Sequence, residues 1–246
     1  MSRRLRGSVL ALIGLFSAAV FGRDRLKIAG NYLQTRIMNR TKTVAQRLDE
    51  YGGVADSRLA PFFAAAKTPY PPSELILVGL KHERRLEVYA AGPDGKPRFI
   101  RSYAIRAASG ELGPKLKEGD GQVPEGLYPI ESLNPNSLFH LALRVGYPNQ
   151  FDRENARADG RTRLGGDIMI HGNAVSIGCL AMGDEAAEDL FVLAARTGVD
   201  RTRAIIAPID LRTNPHPKTG GMPRWVPGLY GDIARELRKL PLPSKT

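Results

Sequence analysis

Apolar and polar residues along this chain of 246 residues follow helical spacing first and strand-like spacing afterwards. Apolar positions recur at helical spacing over 23–50 and over 54–67, and Tyr51-Gly52-Gly53 is predicted to separate these two helices. Short apolar stretches bounded by turn residues then predict strands. They cover residues 74–80, 85–90, 98–104, 127–131, 138–145, 167–171 and 203–207. An apolar stripe further on predicts a helix that Asp184 caps and Gly198 ends.

This order of elements predicts an α+β fold with a β-rich domain over about 73–212. The helices before it form an N-terminal extension at 23–72, and the proline- and glycine-rich residues 213–246 form a tail with one short helix. Residues 107–126 read AASGELGPKLKEGDGQVPEG and contain no convincing strand. Such a long loop inside a compact domain is uncommon and is more often functional.

The first 22 residues have the composition of an export signal. Arg3, Arg4 and Arg6 precede an uncharged apolar run, as the basic region of a signal peptide precedes its apolar region. As a helix, residues 8–22 would extend about 22 Å, against the roughly 30 Å of hydrocarbon in a bilayer. We therefore expect a cleaved signal and a periplasmic protein, in preference to inner-membrane association through an uncleaved anchor at 8–22.

The net charge of the chain indicates which classes of partner to expect. The formal net charge of +11 suits an anionic polymer or a membrane surface, although a solvated basic surface without a partner also fits. No zinc-finger spacing, basic heptad helix or aromatic RNA-binding signature is present, so nucleic acid is not an expected partner.

Cys179 is the only cysteine. In an oxidising compartment an unpaired thiol is either buried or kept for its reactivity.

The stretch IMIHGNAVSIGCLAM, residues 168–182, places His171 eight residues before Cys179. An imidazole beside a thiol can deprotonate it for attack on an acyl carbon. Gly178 gives backbone N–H groups, including that of Cys179, access to the oxyanion that such an attack creates. On the residues alone, a buried cysteine beside a hydrogen-bonded histidine fits as well. One cysteine and one histidine form only half of a metal site, so we predict no metal and no cofactor.

Four segments, two of which overlap, resemble the L,D-transpeptidase (YkuD-type) catalytic domain family, and most closely its YafK-like branch. HGNAVSIGCLAM is similar to the family's histidine-glycine and serine-x-glycine-cysteine signature, with the short loop of that branch. QVPEGLYPI is similar to its proline-x-glycine-x-aromatic element. SGELGPKLKEGDGQVPEG and NPNSLFHLALRVGYPNQFDR follow the pattern of the branch. The resemblance covers about residues 70–212 and implies the β-rich fold of that catalytic domain.

The resemblance implies an enzyme of cell-wall biogenesis that acts on peptidoglycan stem peptides. Cys179 would form a thioester with the L-centre carbonyl of a diaminoacyl residue, His171 would serve as base and later as acid, and the Gly172 carbonyl would orient the imidazole. An amine would then resolve the thioester, which makes a cross-link or a protein attachment.

Two departures from the family pattern leave hydrolysis open. Many members have a second histidine two residues before the cysteine, where this chain has Ile177, and an arginine two residues after it, where this chain has Ala181. Some members of the branch are associated with detaching a wall-linked outer-membrane lipoprotein, so a protein of that kind is a second candidate partner. The alternative from another class is a non-catalytic wall-binding module.

Further polar residues are predicted to contact substrate. Ser176 lies in the loop between histidine and cysteine, Tyr147 and Asn149 lie in GYPNQFDR, and Lys115 and Lys117 lie in the glycine-rich loop. The two lysines would meet stem-peptide carboxylates. Structural turn roles for Tyr147 and Asn149, and solvated charges for the lysines, are the alternatives.

Overall fold

The computed structural model describes residues 41–243. The predicted signal or anchor at 1–22, and residues 23–40 of the predicted extension, lie outside these described residues. The described part begins with helix α1 (Val44–Ala65). Thr43 caps this helix: its hydroxyl accepts the Gln46 N–H at 3.2 Å, and the Gln46 side chain accepts the Thr43 N–H at 2.8 Å.

The predicted helix break at Tyr51-Gly52-Gly53 is wrong, because α1 continues through both glycines and through Pro61. Each glycine costs a helix about 1 kcal/mol relative to alanine, which tertiary packing can outweigh. Gly52 is buried, and a Cβ at this position would lie 3.0 Å from the Arg196 guanidinium. The buried side chains of Leu59 and Phe63 anchor the same helix in the core. The two glycines therefore belong to a contact surface and not to a turn.

Nine strands within residues 41–243 form one continuous mixed sheet, which confirms the predicted α+β fold. The strands are β1 (Leu75–Leu80), β2 (Arg85–Ala91), β3 (Pro97–Ala104), β4 (Ala107–Ala108), β5 (Gly126–Ser137), β6 (His140–Val145), β7 (Met169–His171), β8 (Leu180–Ala181) and β9 (Thr202–Ala207). Their order across the sheet is β3-β2-β1-β9-β5-β6-β7-β8-β4. The pairs β1–β9 and β7–β8 are parallel, and the other neighbours are antiparallel.

Three more helices follow, α2 (Gln150–Ala158), α3 (Asp184–Thr197) and α4 (Val226–Leu237). Helix α2 lies between the predicted strands 138–145 and 167–171, in a stretch for which the sequence predicts no helix. Its N-cap is Asn149, in a capping box with Asp152. The expected cap of α3 is wrong, because Asp184 is the first helical residue and Gly183 precedes it without a side-chain cap. No helix within 41–243 combines the length and apolarity needed to cross a membrane.

The two faces of the sheet bury separate apolar clusters. On one face Leu59 of α1 and Phe191 of α3 pack against sheet residues such as Leu77. On the other face α4 covers the sheet, with Tyr230 packed in the cluster that contains Val78. Each such side chain contributes about 1.5–3 kcal/mol through burial. Helix α4, which the sequence places in a tail, is therefore part of the core, while the domain boundaries at 73 and 212 stay a prediction.

Candidate active site

Two adjacent parallel strands bring His171 and Cys179 to one face of the sheet. The register of β7 and β8 pairs Ile170 with Leu180 and His171 with Ala181. Ile170 and Leu180 are both buried in the core. Because side chains alternate between the two faces of a strand, His171 and Cys179 project to the face opposite that core. Ala181 lies directly opposite His171, and Cys179 precedes Ala181 by two residues. The side chains of His171 and Cys179 are therefore diagonal neighbours.

His171 is a buried imidazole held from two directions. Its Nδ1–H donates to the Gly172 carbonyl at 2.6 Å, since a carbonyl can only accept. The ring of Phe139, in the turn between β5 and β6, stacks on it with centroids 4.8 Å apart and an interplanar angle of 28°. Burial lowers the pKa of His171, and the bond to Gly172 offsets part of this effect. The ring is therefore neutral near pH 7, with Nε2 as its basic nitrogen.

Cys179 is half-buried and its sulfur contacts backbone groups of the chain just before β7 and at its start. The sulfur accepts the Met169 N–H at 3.4 Å and lies 3.7 Å from the Asp167 carbonyl oxygen. Burial raises the pKa of the Cys179 thiol, while the Met169 N–H opposes the shift. Within the described residues, the thiol and the imidazole do not hydrogen-bond each other. The resting pair is thus neutral, and attack requires proton transfer from sulfur to imidazole.

The sequence predicts that the backbone N–H groups of Gly178 and Cys179 bind an oxyanion. In the structure these two groups donate hydrogen bonds to serine hydroxyls. Gly178 has a φ of +98°, which glycine adopts without strain. Its N–H donates to Ser109 Oγ at 2.6 Å, and the Cys179 N–H donates to Ser176 Oγ at 3.2 Å. The Ser176 hydroxyl also donates to the Cys179 carbonyl at 2.6 Å. Ser176 therefore lies at the nucleophile, as its position in the loop suggests, and Ser109 is a site residue that sequence analysis missed.

Tyr147 and Asn149 use their polar atoms within the fold. The Tyr147 hydroxyl lies 3.3 Å from the carbonyls of Lys115 and Leu164. Asn149 caps α2, and its Nδ2 donates to the Leu127 carbonyl at 2.9 Å. These contacts match the structural alternative for both residues, and their substrate contacts stay a prediction.

The two lysines of the glycine-rich loop have different environments. Lys115 is buried, and its ammonium donates to the Lys117 carbonyl at 2.9 Å and to Asp120. Lys117 is exposed and lines a groove of about 510 Å³ together with Met222 and Arg161. The described residues thus leave Lys117, rather than Lys115, as the loop cation available to a carboxylate.

A buried ion pair fixes the glycine-rich loop on the sheet. Lys81, at the turn after β1, donates to Glu125 Oε1 at 2.9 Å and to the carbonyls of Glu111, Gly113 and Val123 at 2.9–3.1 Å. The other carboxylate oxygen of Glu125 accepts the Tyr230 hydroxyl at 2.8 Å. Lys81 therefore gathers three loop carbonyls at one point and holds residues 111–125 beside the site.

We expect Lys81→Met to lower the free energy of unfolding by about 3 kcal/mol, because the buried Glu125 carboxylate would lose its counter-charge. Urea denaturation measures this loss. Lys96→Met is the matched control, since Lys96 is exposed in the turn between β2 and β3, and its change should stay within about 0.5 kcal/mol. A loss for Lys81→Met no larger than that of the control would contradict the anchoring role.

Residues 73–206 match the family described as the L,D-transpeptidase catalytic domain, YkuD. YafK of Escherichia coli K12 is 37% identical over 113 residues, which cover 45% of this chain and 43% of that protein. The match therefore spans less than half the length of this relative.

Two of the solved structures that are similar to this chain come from Campylobacter jejuni and Mycobacterium tuberculosis. The helical cell shape determining protein Pgp2 of Campylobacter jejuni has 25% identity and a TM-score of 0.43, with 54% of this chain and 47% of that chain covered. Mycobacterium tuberculosis L,D-transpeptidase 1 has 17% identity and a TM-score of 0.31, with 55% and 62% covered.

The family match extends over more than half of the chain and includes both His171 and Cys179. It confirms the resemblance carried by HGNAVSIGCLAM. The chain belongs to the L,D-transpeptidase (YkuD) catalytic domain family.

Proposed function

We propose that this protein is a peptidoglycan L,D-transpeptidase-type cysteine acyltransferase, with Cys179 as nucleophile and His171 as general base. The observation that carries the proposal is the placement of an unpaired thiol and an oriented, buried imidazole on one face of adjacent strands. Membership of the family supports peptidoglycan as the substrate.

In the first half of the reaction, His171 Nε2 takes the thiol proton as the Cys179 sulfur bonds to the L-centre carbonyl carbon of a diaminoacyl residue. The tetrahedral intermediate then expels the amine of the following residue, which receives the proton from the imidazolium. A thioester remains on Cys179. Because thiol and imidazole are both neutral at rest, the base has to act during the attack, an effect worth about 10²- to 10⁴-fold.

In the second half, an acceptor amine attacks the thioester carbonyl. His171 removes a proton from the attacking nitrogen and returns it to the departing sulfur, which restores the neutral pair. The product carries a new amide, either a cross-link between stem peptides or a protein attachment. The groove lined by Lys117 and Arg161 offers two cations to an anionic peptide.

Hydrolysis of the thioester by water is the second candidate function, and the surroundings of Ala181 favour it. Ala181 is fully buried in β8, so the position that carries an arginine in many members offers neither a cation nor exposed surface. Ile177 is 81% exposed and presents an apolar side chain where many members have a histidine. At both positions the chain therefore lacks a polar side chain that could bind the acceptor amine or its peptide. The substrate would then be an existing cross-link or a wall-linked outer-membrane protein.

The proposed location is the periplasm, because peptidoglycan is the substrate of the proposed reaction and the first 22 residues have the composition of an export signal. Cleavage of that signal is favoured over an uncleaved inner-membrane anchor. No cofactor takes part in the proposed chemistry.

Incubation of the protein with disaccharide-tetrapeptide muropeptides, with and without a competing free amine, tests the proposal by product mass. Amide products that incorporate the amine support transfer, and water-derived products alone support hydrolysis. Absence of any product from the wild-type chain, as from Cys179→Ala, both with these muropeptides and with cross-linked muropeptide dimers and a muropeptide-linked protein, would overturn both. Retained wall binding without product would then identify a binding module.

We expect Phe139→Ala to move the acid limb of the pH profile of kcat/KM to higher pH. The aromatic ring covers the imidazole, so its removal relieves part of the burial that lowers the pKa of His171. More of the base is then protonated at a given acidic pH, while the rate in the alkaline range changes less. Leu138→Ala, at the exposed neighbouring residue, is the control. A uniform fall at all pH values would contradict this role of Phe139.

A further inference from the structure

Ser109 lies directly beside the nucleophile although 70 positions separate the two residues in the chain. Strands β4 and β8 pair antiparallel, with Ala107 opposite Ala181 and Ala108 opposite Leu180. Continuing this register by one position places Ser109 opposite Cys179. Residues directly opposite each other in an antiparallel pair project to the same face. Cys179 therefore has His171 on one neighbouring strand and Ser109 on the other.

The Ser109 hydroxyl hydrogen has one acceptor at the site, the oxygen of Ser176, and that oxygen is already shared with other donors. The Ser176 hydroxyl donates its single hydrogen to the Cys179 carbonyl at 2.6 Å. Its oxygen accepts the N–H groups of Cys179 and Ser109, both at 3.2 Å, and these occupy its two lone pairs. Ser109 Oγ lies 3.1 Å from Ser176 Oγ and donates to it in competition with these two N–H groups, which makes the bond weak. Among the described residues no other acceptor bonds to it.

The environment of Ser109 strengthens its hydroxyl as a donor. Ser109 Oγ accepts the Gly178 N–H at 2.6 Å. A hydroxyl that accepts a strong hydrogen bond is polarised and donates a stronger one. The residue is only half-buried, so the hydrogen can point to a bound substrate. The expected backbone donors at Gly178 and Cys179 are occupied by serine hydroxyls. The Ser109 hydroxyl, held only by the weak bond to Ser176, is therefore the donor that a substrate can redirect most easily.

We propose that Ser109 is a catalytic residue whose hydroxyl donates a hydrogen bond to the oxyanion formed when Cys179 attacks the acyl carbon. Ser109 keeps its proton throughout, and the Gly178 N–H reaches the oxyanion through it. Ser176 positions the loop, and the Ser109 hydroxyl turns its hydrogen from Ser176 to the oxyanion when substrate binds. This inference rests on the proposed acyl transfer and names a donor for its transition state.

Two reactions of the same sulfur test it on the full chain. The first is acylation of Cys179 by a disaccharide-tetrapeptide muropeptide, which passes through an oxyanion. The second is alkylation of Cys179 by iodoacetamide, which forms no oxyanion. Ser109→Ala should slow acylation about 10²- to 10³-fold, the usual effect of removing one oxyanion donor, with alkylation within about threefold of wild type. Ser109→Thr retains the hydroxyl and should recover most of the acylation rate.

Ser102→Ala, at an exposed serine of β3, is the matched control and should leave both reactions unchanged. Equal acylation by Ser109→Ala and wild type would overturn the role of Ser109 and leave the proposed function intact. A parallel loss of acylation and alkylation would also overturn it, since that result indicates a structural role. Absence of acylation in the wild-type chain would overturn the proposed function and this inference with it.

Discussion

Replacement of Cys179 with alanine is expected to abolish product formation from stem-peptide substrates, with a loss of at least about 10⁴-fold in kcat. No other thiol can substitute, because Cys179 is the only cysteine of the chain. The remaining hydrogen bonds of the loop do not require the sulfur, since Ser176 and Ser109 bind backbone groups. The fold should therefore persist while the reaction stops. Product mass from disaccharide-tetrapeptide muropeptides measures the loss.

Thermal unfolding and thiol titration provide the controls for this variant. Wild type should titrate as one reactive thiol and Cys179→Ala as none, with midpoints of unfolding within a few degrees of each other. Substantial product from a well-folded Cys179→Ala protein would mean that another group attacks the substrate, and the proposed mechanism would be wrong.

Replacement of His171 with glutamine is expected to lower kcat/KM by about 10²- to 10⁴-fold near pH 7. Glutamine can still donate a hydrogen bond but cannot accept the thiol proton. In wild type, activity should fall as the pH drops through the pKa of His171, which burial places below the ordinary histidine value. The variant should lose this acid limb.

The rate that remains in His171→Gln should instead rise with pH as the thiol ionises, at a pKa that burial raises above the ordinary cysteine value. The pH profiles of both proteins, together with the iodoacetamide alkylation rate of Cys179, separate the two titrations. If the rate of His171→Gln fell on the acid side at the same pH as the rate of wild type, another group would be the base.

The His171 and Cys179 pair could be predicted because its two members are close in sequence. Eight residues form a single loop between two adjacent strands, so spacing and residue type identify the pair without knowledge of the rest of the fold. Ser109 could not be found in this way. It reaches the site through β4 and β8, which have two residues each, and strands that short leave no periodic signal.

Contacts within the fold also bear on two expectations that rest on residue type. Lysines in a glycine-rich loop suggest free cations, yet Lys115 is buried on Asp120. Glycines suggest free backbone donors, yet the Gly178 N–H is taken by Ser109. Sequence specifies which groups are present at the site, whereas long-range contacts decide which of them remain available.

At the level of the fold, seven predicted strands correspond to observed ones because each is an apolar stretch bounded by turn residues. The predicted secondary structure was wrong where tertiary contacts determine the local conformation. The Gly52-Gly53 pair remains helical because the buried face of α1 packs closely on the rest of the protein. Helix α2 is polar along most of its length, and only its Asn149 and Asp152 capping box indicates a helix start.

The most direct test of the central claim is the mass of the acyl-enzyme. The protein is incubated with a disaccharide-tetrapeptide muropeptide, quenched in acid and digested with trypsin. His171 and Cys179 lie on one tryptic peptide, residues 164–196, and fragmentation of that peptide locates any adduct. The proposed mechanism predicts a mass increase equal to the acyl group, located on Cys179 and absent after treatment with hydroxylamine. Product formation with an unmodified Cys179 at every time point, or an adduct on another residue, would contradict it.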